Sequence, residues 1–262
     1  MTTTRINRCF ERCRAEKRGA LVVFASVGCP TLKESEELID RLIDAGADMI
    51  ELGVPFSDPM ADGVTIQKSG QIALSAGTTL PEIIEIAKRI RQAHPETPLI
   101  LFSYYNVLLN YGLERLGSDL KAAGVDGVLV IDLPLEEREE IMPMCEVNDI
   151  SFIPLISPAT STERAKQIAE NCNGFVYCIT VRGVTGVRNT LPPELSAELE
   201  AAKTACQLPV AAGFGISTPE MARSVAKHAD AVVVGSAVMK SLIEEGSNAA
   251  VTLVAKLAKG MR

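Results

Sequence analysis

Two acidic residues stand where an enclosed carboxylate could carry out acid–base chemistry. Glu51 interrupts the otherwise apolar run 49–54. A charge in such a run costs free energy whether it points into a core or at a layer of helices. A structural ion pair is the alternative, and we consider it weaker because no basic residue is close in sequence. We therefore expect Glu51 to be a functional residue.

The second acidic residue, Asp62, lies in the segment that follows this run. Pro55 and Pro59 stiffen the segment, which also contains Asp58. An aspartate in such a loop often forms an Asx-turn or a helix cap, and for Asp58 we leave a turn and a function open as equal alternatives. We expect Asp62 to be functional, because it could hang over the same opening as Glu51.

Eight apolar runs rich in Val and Ile predict the strands that would position these residues. Continuous apolar runs, without polar alternation, are typical of parallel strands buried on both faces. A pattern of a helix end, an Asp and then a strand recurs in AGADMIELG, AGVDGVLVIDLP and HADAVVVGSA. The predicted strands cover 20–28, 48–56, 98–106, 127–134, 151–158, 174–181, 209–217 and 231–238.

Amphipathic segments between the strands predict helices. The sequence 79–82, TLPE, predicts a capping box at the start of one of them, and Gly246 is a candidate break in the last. Eight strand–helix units without a linker predict one domain, 1–262, with the (β/α)8 TIM-barrel fold. A doubly wound open sheet is the alternative, but no G-x-G-x-x-G follows the first run. The predicted helices are an extra N-terminal one at about 4–16, then 33–45, 82–93, 113–123, 135–142, 162–172, 193–205, 218–228 and 239–259.

A TIM barrel places its chemistry on the loops at the C-terminal ends of its strands. His94 and His228 each come just before a predicted strand, which disfavours a histidine-ligated metal and a histidine base. No lysine lies inside a predicted strand, which disfavours a Schiff base. Cys9 and Cys13 share a helix face and Cys178 is mid-strand, so we interpret them as packing residues. Carboxylates and tyrosines are left for acid–base work, and we expect neither a metal nor a cofactor.

Glycines at the ends of the last three predicted strands indicate a phosphate site. Gly186 follows the sixth strand, Gly213 and Gly215 end the seventh, and Gly235 precedes Ser236 at the end of the eighth. Each glycine alone is more often a turn residue. Together they match the place where TIM barrels bind phosphate with backbone N–H groups and a helix N-terminus.

Composition narrows the partners and the compartment. The net charge of −7 opposes binding to nucleic acid and to anionic membranes. No apolar stretch is long enough for a membrane span, and the first residues lack the apolar region of a signal peptide. Seven cysteines without a C-x-x-C pair indicate reduced thiols and a cytoplasmic protein.

The motifs resemble those of the tryptophan synthase α-subunit family. The long pattern ELGVPFSDPMADG at 51–63 resembles the family signature, and RGVTG at 182–186, GFGIS at 213–217 and GSA at 235–237 also match. The resemblance covers essentially the whole chain. It implies a lyase of tryptophan biosynthesis that splits indole-3-glycerol phosphate without a cofactor, as part of an α2β2 complex with a β subunit.

The resemblance also implies a role for individual residues. Glu51 and Asp62 would be the catalytic pair, with Glu51 moving protons and Asp62 facing the indole N–H. The loops 55–62 and 182–193 would close over the site and communicate with the β subunit. Two positions depart from the family pattern, because Cys29 replaces a common Asp and Val107 replaces a common Pro. The indole pocket would be lined by Phe24, Phe102, Tyr104, Ile131, Leu155, Tyr177 and Phe214, and the phosphate would be held by Thr185, Gly186, Gly215, Gly235 and Ser236.

Three alternative functions stay open at this point. The chain could be a stand-alone indole-3-glycerol-phosphate lyase with no partner. It could be a non-catalytic activator of a β subunit, although the acidic pair argues against this. It could also be another phosphate-binding barrel, such as a sugar-phosphate isomerase, although the segment 55–63 argues against that.

Overall fold

The computed structural model describes residues 4–157, 159–179, 194–213 and 215–262. Its strands are all parallel and form one sheet in which β1 pairs with both β2 and β9. The strands are β1 (Ala20–Ser26), β2 (Met49–Gly53), β3 (Leu99–Ser103), β4 (Gly127–Val130), β5 (Ser151–Phe152), β6 (Leu155–Ile156), β7 (Val176–Ile179), β8 (Val210–Gly213) and β9 (Ala231–Val234).

The short strands β5 and β6 are the two halves of the fifth barrel strand. The N–H of Ile153 donates to the carbonyl of Val128 at 2.9 Å, and the N–H of Tyr177 donates to the carbonyl of Pro154 at 2.9 Å. The segment between the halves thus continues the ladder from β4 to β7 and closes the barrel. The prediction of eight barrel strands in a (β/α)8 barrel is confirmed.

Helices surround the barrel, and the predicted N-terminal helix and the break at Gly246 are both present. Thr79 and Glu82 form the predicted capping box. The helices are α1 (Arg5–Ala15), α2 (Leu32–Asp44), α3 (Val64–Ser75), α4 (Leu80–Ala93), α5 (Tyr105–Tyr111), α6 (Leu113–Ala123), α7 (Met142–Asn148), α8 (Thr162–Ala169), α9 (Leu195–Cys206), α10 (Pro219–Ala226), α11 (Ser236–Glu245) and α12 (Ser247–Met261).

Several predicted boundaries were wrong. The segment predicted as a helix at 135–142 is a 3-10 helix over Leu135–Glu140, followed by α7. Helix α3 was not predicted, because its buried residues are only Ser69 and Ala73 and it lacks an apolar stripe. Helix α5 was not predicted either, because the predicted third strand extends past Ser103, where β3 ends. None of the helices in the described ranges has both the length and the hydropathy needed to cross a bilayer.

Side chains alternate between the barrel interior and the helix layer. In β2, Met49 belongs to the interior cluster, while Ile50 and Leu52 belong to the cluster packed against helices. The period of a strand is two residues, so Glu51 points inward with Met49. Helix α1 covers the N-terminal end of the barrel, where the Phe10 ring lies 5.9 Å from that of Phe175.

The repeated Asp-before-strand pattern has a structural cause at that same end. Asp48, Asp126 and Asp230 each precede a strand and accept the N–H of a residue at the start of the strand before it, at 2.9, 2.9 and 3.0 Å. Asp126 also accepts from Arg5 and Arg91. These carboxylates satisfy strand N–H groups and fix neighbouring strands in register.

Candidate active site

The Glu51 carboxyl lies inside the barrel and is almost completely buried, with 1% of its surface exposed. Its strand pairs with β1 at Phe24 and with β3 at Ile100. Its Oε1 atom has no hydrogen-bond partner within the described ranges. Burial raises its pKa to about 8. A structural ion pair would lower this pKa, so the geometry favours a group that is protonated at neutral pH and can donate its proton.

The Asp62 carboxylate is held over the same end of the barrel by a hydrogen bond from a tyrosine. The hydroxyl of Tyr104, just past the end of β3, donates to Oδ2 of Asp62 at 3.1 Å. The side chain of Gln67 donates to the carbonyl of Asp62 at 2.9 Å. Burial raises the pKa of Asp62 to about 6, and the bond from Tyr104 opposes that rise. At neutral pH this carboxylate is mostly ionised.

Tyr177 links the two carboxyls electrostatically. It lies on β7, and its Cα partner on β6 is Leu155. Its pKa lies well above the ordinary value because of burial first, and then because of the charges of Glu51, Cys178 and Asp62. The phenol thus lies within electrostatic range of both acidic groups, with Glu51 inside the barrel and Asp62 on a cavity at the C-terminal end of its strands.

Aromatic rings line this space on the side of β1 and β3. The rings of Phe24 and Phe102 meet edge to face, with centroids 5.2 Å apart. The rings of Phe56 and Tyr104 lie 5.0 Å apart. Phe24, Phe56, Asp62, Phe102 and Tyr104 all line one cavity. Phe56 was not among the predicted pocket residues, although it lies inside the motif at 51–63.

The other predicted pocket residues occupy the expected face. Ile131 and Leu155 are partly buried against the interior cluster, as are Phe102 and Tyr177. Phe214 lies outside the described residues. Gly213 leaves room for the neighbouring tyrosine, since a Cβ atom there would lie 2.3 Å from the hydroxyl of Tyr177.

The described part of the predicted phosphate site lies at the same end of the barrel. Gly235 is the N-cap of α11, no side chain caps this helix, and Ser236 is its first residue. The first turn of a helix leaves N–H groups without intrahelical partners. Gly215, after β8, has a positive φ of 62°. Thr185, Gly186 and the whole loop 182–193 lie outside the described residues.

The residues that the sequence analysis set aside are placed elsewhere. His94 follows α4 at the opposite end of the barrel, where its Nε2 lies 3.2 Å from Asp40. Within the described ranges, the one group of thiols and carboxylates close enough to share a metal ion is Cys9, Cys13 and Asp48. It too lies at that opposite end, and Arg18 already engages both oxygens of Asp48.

Three further positions were singled out in the sequence: the two departures from the family pattern, Cys29 and Val107, and the loop residue Asp58. Cys29 is fully buried after β1, and burial raises its pKa to about 11. Val107 is the third residue of α5 and packs partly against the outer core. Asp58 is exposed and accepts a hydrogen bond from the Ser57 hydroxyl, which fits a turn residue.

Comparisons with known proteins identify the family of the chain. The family model described as "Tryptophan synthase alpha chain" matches residues 10–261. The chain is 46% identical over 237 residues to the tryptophan synthase alpha chain of Geobacter sulfurreducens, covering 90% of this chain and 89% of that protein. It is 43% identical over 238 residues to that of Caldanaerobacter subterraneus, covering 91% and 90%.

Solved structures give the same result over almost the whole chain. Tryptophan synthase from Mycobacterium tuberculosis superimposes with a TM-score of 0.93 at 32% identity, covering 99% of both chains. The tryptophan synthase alpha chain from Legionella pneumophila gives 0.91 at 32% identity, covering 98% of this chain and 97% of that one. The chain therefore belongs to the tryptophan synthase alpha chain family.

Proposed function

We propose that this chain cleaves indole-3-glycerol phosphate to indole and glyceraldehyde 3-phosphate with Glu51 and Asp62 as its catalytic pair. The lyase reaction is that of the family to which the chain belongs. One observation carries the assignment of residues: the carboxyls of Glu51 and Asp62 both lie within electrostatic range of the phenol of Tyr177, and their pKa values are about 8 and about 6. Unequal values of this kind allow one carboxyl to act as an acid while the other stays charged.

Glu51 carries out the proton transfers. It donates its proton to C3 of the indole ring, which becomes an indolenine with positive charge on nitrogen. The resulting Glu51 carboxylate then accepts the proton of the adjacent glycerol hydroxyl. The oxygen electrons form the aldehyde C=O, the bond from C3 to the glycerol carbon breaks, and its electrons restore the neutral indole. Glu51 ends protonated, as it began.

Asp62 stabilises the charge that develops on the ring. Its ionised carboxylate accepts the indole N–H, and the attraction grows as C3 gains a proton. The indole ring itself takes up the electrons of the breaking bond, so the step needs no Schiff base. Phe24, Phe102 and Tyr177 supply an apolar space for the flat ring, and Ile131 and Leu155 extend it.

The phosphate is held at the N-terminus of α11. Its uncapped N–H groups and helix dipole favour an anion next to Gly235 and Ser236, and Gly215 adds backbone nearby. Thr185 and Gly186 complete the site in this proposal. Backbone donors bind phosphate without a nearby arginine, which fits a chain of net charge −7.

A β subunit docks over the open end of the barrel. Met60 and Val64 are each 80% exposed and Leu109 is 50% exposed. They belong to neighbouring strand–helix units at the C-terminal end of the strands, so their apolar side chains flank the site. In the α2β2 assembly, the loop 55–62 closes over the substrate, and indole passes to a pyridoxal-phosphate enzyme on the partner.

The test is indole release from indole-3-glycerol phosphate by the purified chain, alone and with a β subunit. Release that rises with the β subunit supports the proposal. Equal release with and without it indicates a stand-alone lyase. No release, with activation of the β subunit, indicates a non-catalytic activator. Turnover of sugar phosphates in place of this substrate indicates another phosphate-binding barrel.

A further inference from the structure

The hydroxyl of Tyr104 ties the segment that carries Asp62 to the end of β3. It accepts the N–H of Ala61 and donates to Oδ2 of Asp62, both at 3.1 Å. A phenol can do both at once, because it has one O–H donor and free lone pairs. Tyr104 is 2% exposed, so its ring is fixed by packing and the hydroxyl has a defined place.

We propose that Tyr104 is a positioning residue that acts through Asp62, in addition to lining the substrate pocket with its ring. This inference rests on the proposed function, because it assigns Tyr104 a task in the same reaction. The hydroxyl sets both where the carboxylate stands and which protonation state it adopts.

The need for such a residue follows from where the two carboxyls stand. Glu51 lies within a strand, whereas Asp62 lies in the segment between β2 and α3 and depends on side-chain contacts for its position. Among the described residues, Tyr104 is the hydrogen-bond partner of its carboxylate. The Phe56 ring packs against the same tyrosine, tilted by 30°. Tyr104 therefore contacts the segment at Phe56, Ala61 and Asp62. Displacements of about 1 Å in a catalytic group lower rates strongly.

The hydroxyl of Tyr104 also affects the ionisation of Asp62. Burial raises the pKa of Asp62, and the Tyr104 hydrogen bond is what opposes this. Asp62 and Glu51 both act on Tyr177, and Asp62 and Asp132 both act on Tyr104. The neighbouring titratable groups are thus carboxyls and phenols, with no cation among them in the described ranges. Without the hydroxyl, the protonated form of Asp62 is favoured and its pKa rises.

The experiment compares Tyr104→Phe with the matched control Tyr105→Phe across pH. The first variant keeps the ring and its packing against Phe56 but loses the hydroxyl. The second removes another phenol-to-carboxylate bond, from Tyr105 to Glu140 at 2.6 Å, outside the site. We expect the acid limb of the kcat/KM profile to move to higher pH in Tyr104→Phe. The loss is about tenfold at the acid end and smaller near neutral pH. Tyr105→Phe follows the wild type.

A second measurement guards against a purely structural effect. In the Asp62→Asn background, we expect Tyr104→Phe to lower kcat/KM only slightly, because the two residues act as one unit. A Tyr104→Phe profile that falls by the same factor at every pH, or a loss that persists in full with Asp62→Asn, overturns the inference. If the wild type itself releases no indole, the proposed function fails instead, so the two failures are distinguishable.

Discussion

The ring of Phe24 fills the space that a side chain at Gly53 would need. A Cβ atom on Gly53 would lie 2.3 Å from Cζ of Phe24. Gly53 stands two residues after Glu51 on the same face of β2, and Phe24 is the Cα partner of Glu51 on β1. The ring then meets Phe102 edge to face. The missing side chain at position 53 thus sets the place of an aromatic wall beside the carboxyl of Glu51.

Gly53→Ala is expected to displace this ring. The added methyl group forces Phe24 toward Phe102, and overpacking of this kind costs about 1–3 kcal/mol of unfolding free energy. KM should rise as well, since the pocket wall moves. Urea unfolding and steady-state kinetics measure the two effects.

The matched control is Gly70→Ala in α3, where a Cβ atom would have no neighbour within 4 Å. There the substitution should stabilise the protein by up to about 1 kcal/mol, because alanine favours a helix. Equal losses of unfolding free energy in Gly53→Ala and Gly70→Ala would contradict the steric account of Gly53.

The buried carboxyl of Glu51 should make stability depend on pH. Its pKa rises from the ordinary value of 4.5 to about 8 on folding. A group whose pKa is higher in the folded state stabilises the fold at pH values below its unfolded-state pKa. This stabilisation is lost as the pH rises through its folded-state pKa. Glu51→Gln removes this ionisation. We therefore expect chemical denaturation to show that the free energy of unfolding of Glu51→Gln increases relative to that of the wild type as pH rises between these two pKa values. A difference that stays constant across this range would show that Glu51 is not buried as an acid.

Asp126→Asn should destabilise the fold at the end of the barrel away from the site. Asp126 accepts from Arg5, Arg91 and the N–H of Leu99. Loss of its charge leaves the buried guanidinium of Arg91 with its backbone carbonyl acceptors but without its carboxylate partner, at a cost of about 3–5 kcal/mol. Turnover per folded molecule should stay near that of the wild type. Thermal unfolding and kinetics on the folded fraction check both statements.

The control for this prediction is Asp149→Asn. Asp149 pairs with Lys121 at 3.0 Å on the surface, and exposed pairs contribute at most about 1 kcal/mol. Asn also tolerates the positive φ of 58° at this position. If Asp149→Asn were as destabilising as Asp126→Asn, the strand-pinning role of Asp126 would be lost.

Local patterns predicted the fold where one pattern decides the structure. Runs such as 20–28 predict buried parallel strands because a strand covered on both faces needs apolar residues at every position. The Asp-before-strand echo was visible in the sequence. The structural role of this aspartate could not be predicted, because the carboxylate of Asp126 accepts the N–H of Leu99, which lies 27 residues earlier and begins another strand. Helix α3 was missed because its burial comes from small residues such as Ala73.

In the candidate site, too, a local pattern predicts some features and not others. The burial of Glu51 could be predicted, because a side chain in the middle of an apolar strand must point either into the barrel or at the helix layer. The bond from Tyr104 to Asp62 joins residues 42 positions apart, and no local pattern encodes it. The same holds for Phe56, whose partner Tyr104 lies on another strand–helix unit. Contacts between units depend on barrel closure, which a pattern within one unit does not specify.

The most direct test of the account is indole release by Glu51→Gln and Asp62→Asn beside the wild type, with folding checked by circular dichroism. In the proposed reaction each group acts in the transition state, so we predict losses of at least about 100-fold in kcat for each variant, with intact barrels. Full turnover by either folded variant would contradict the assignment of the catalytic pair.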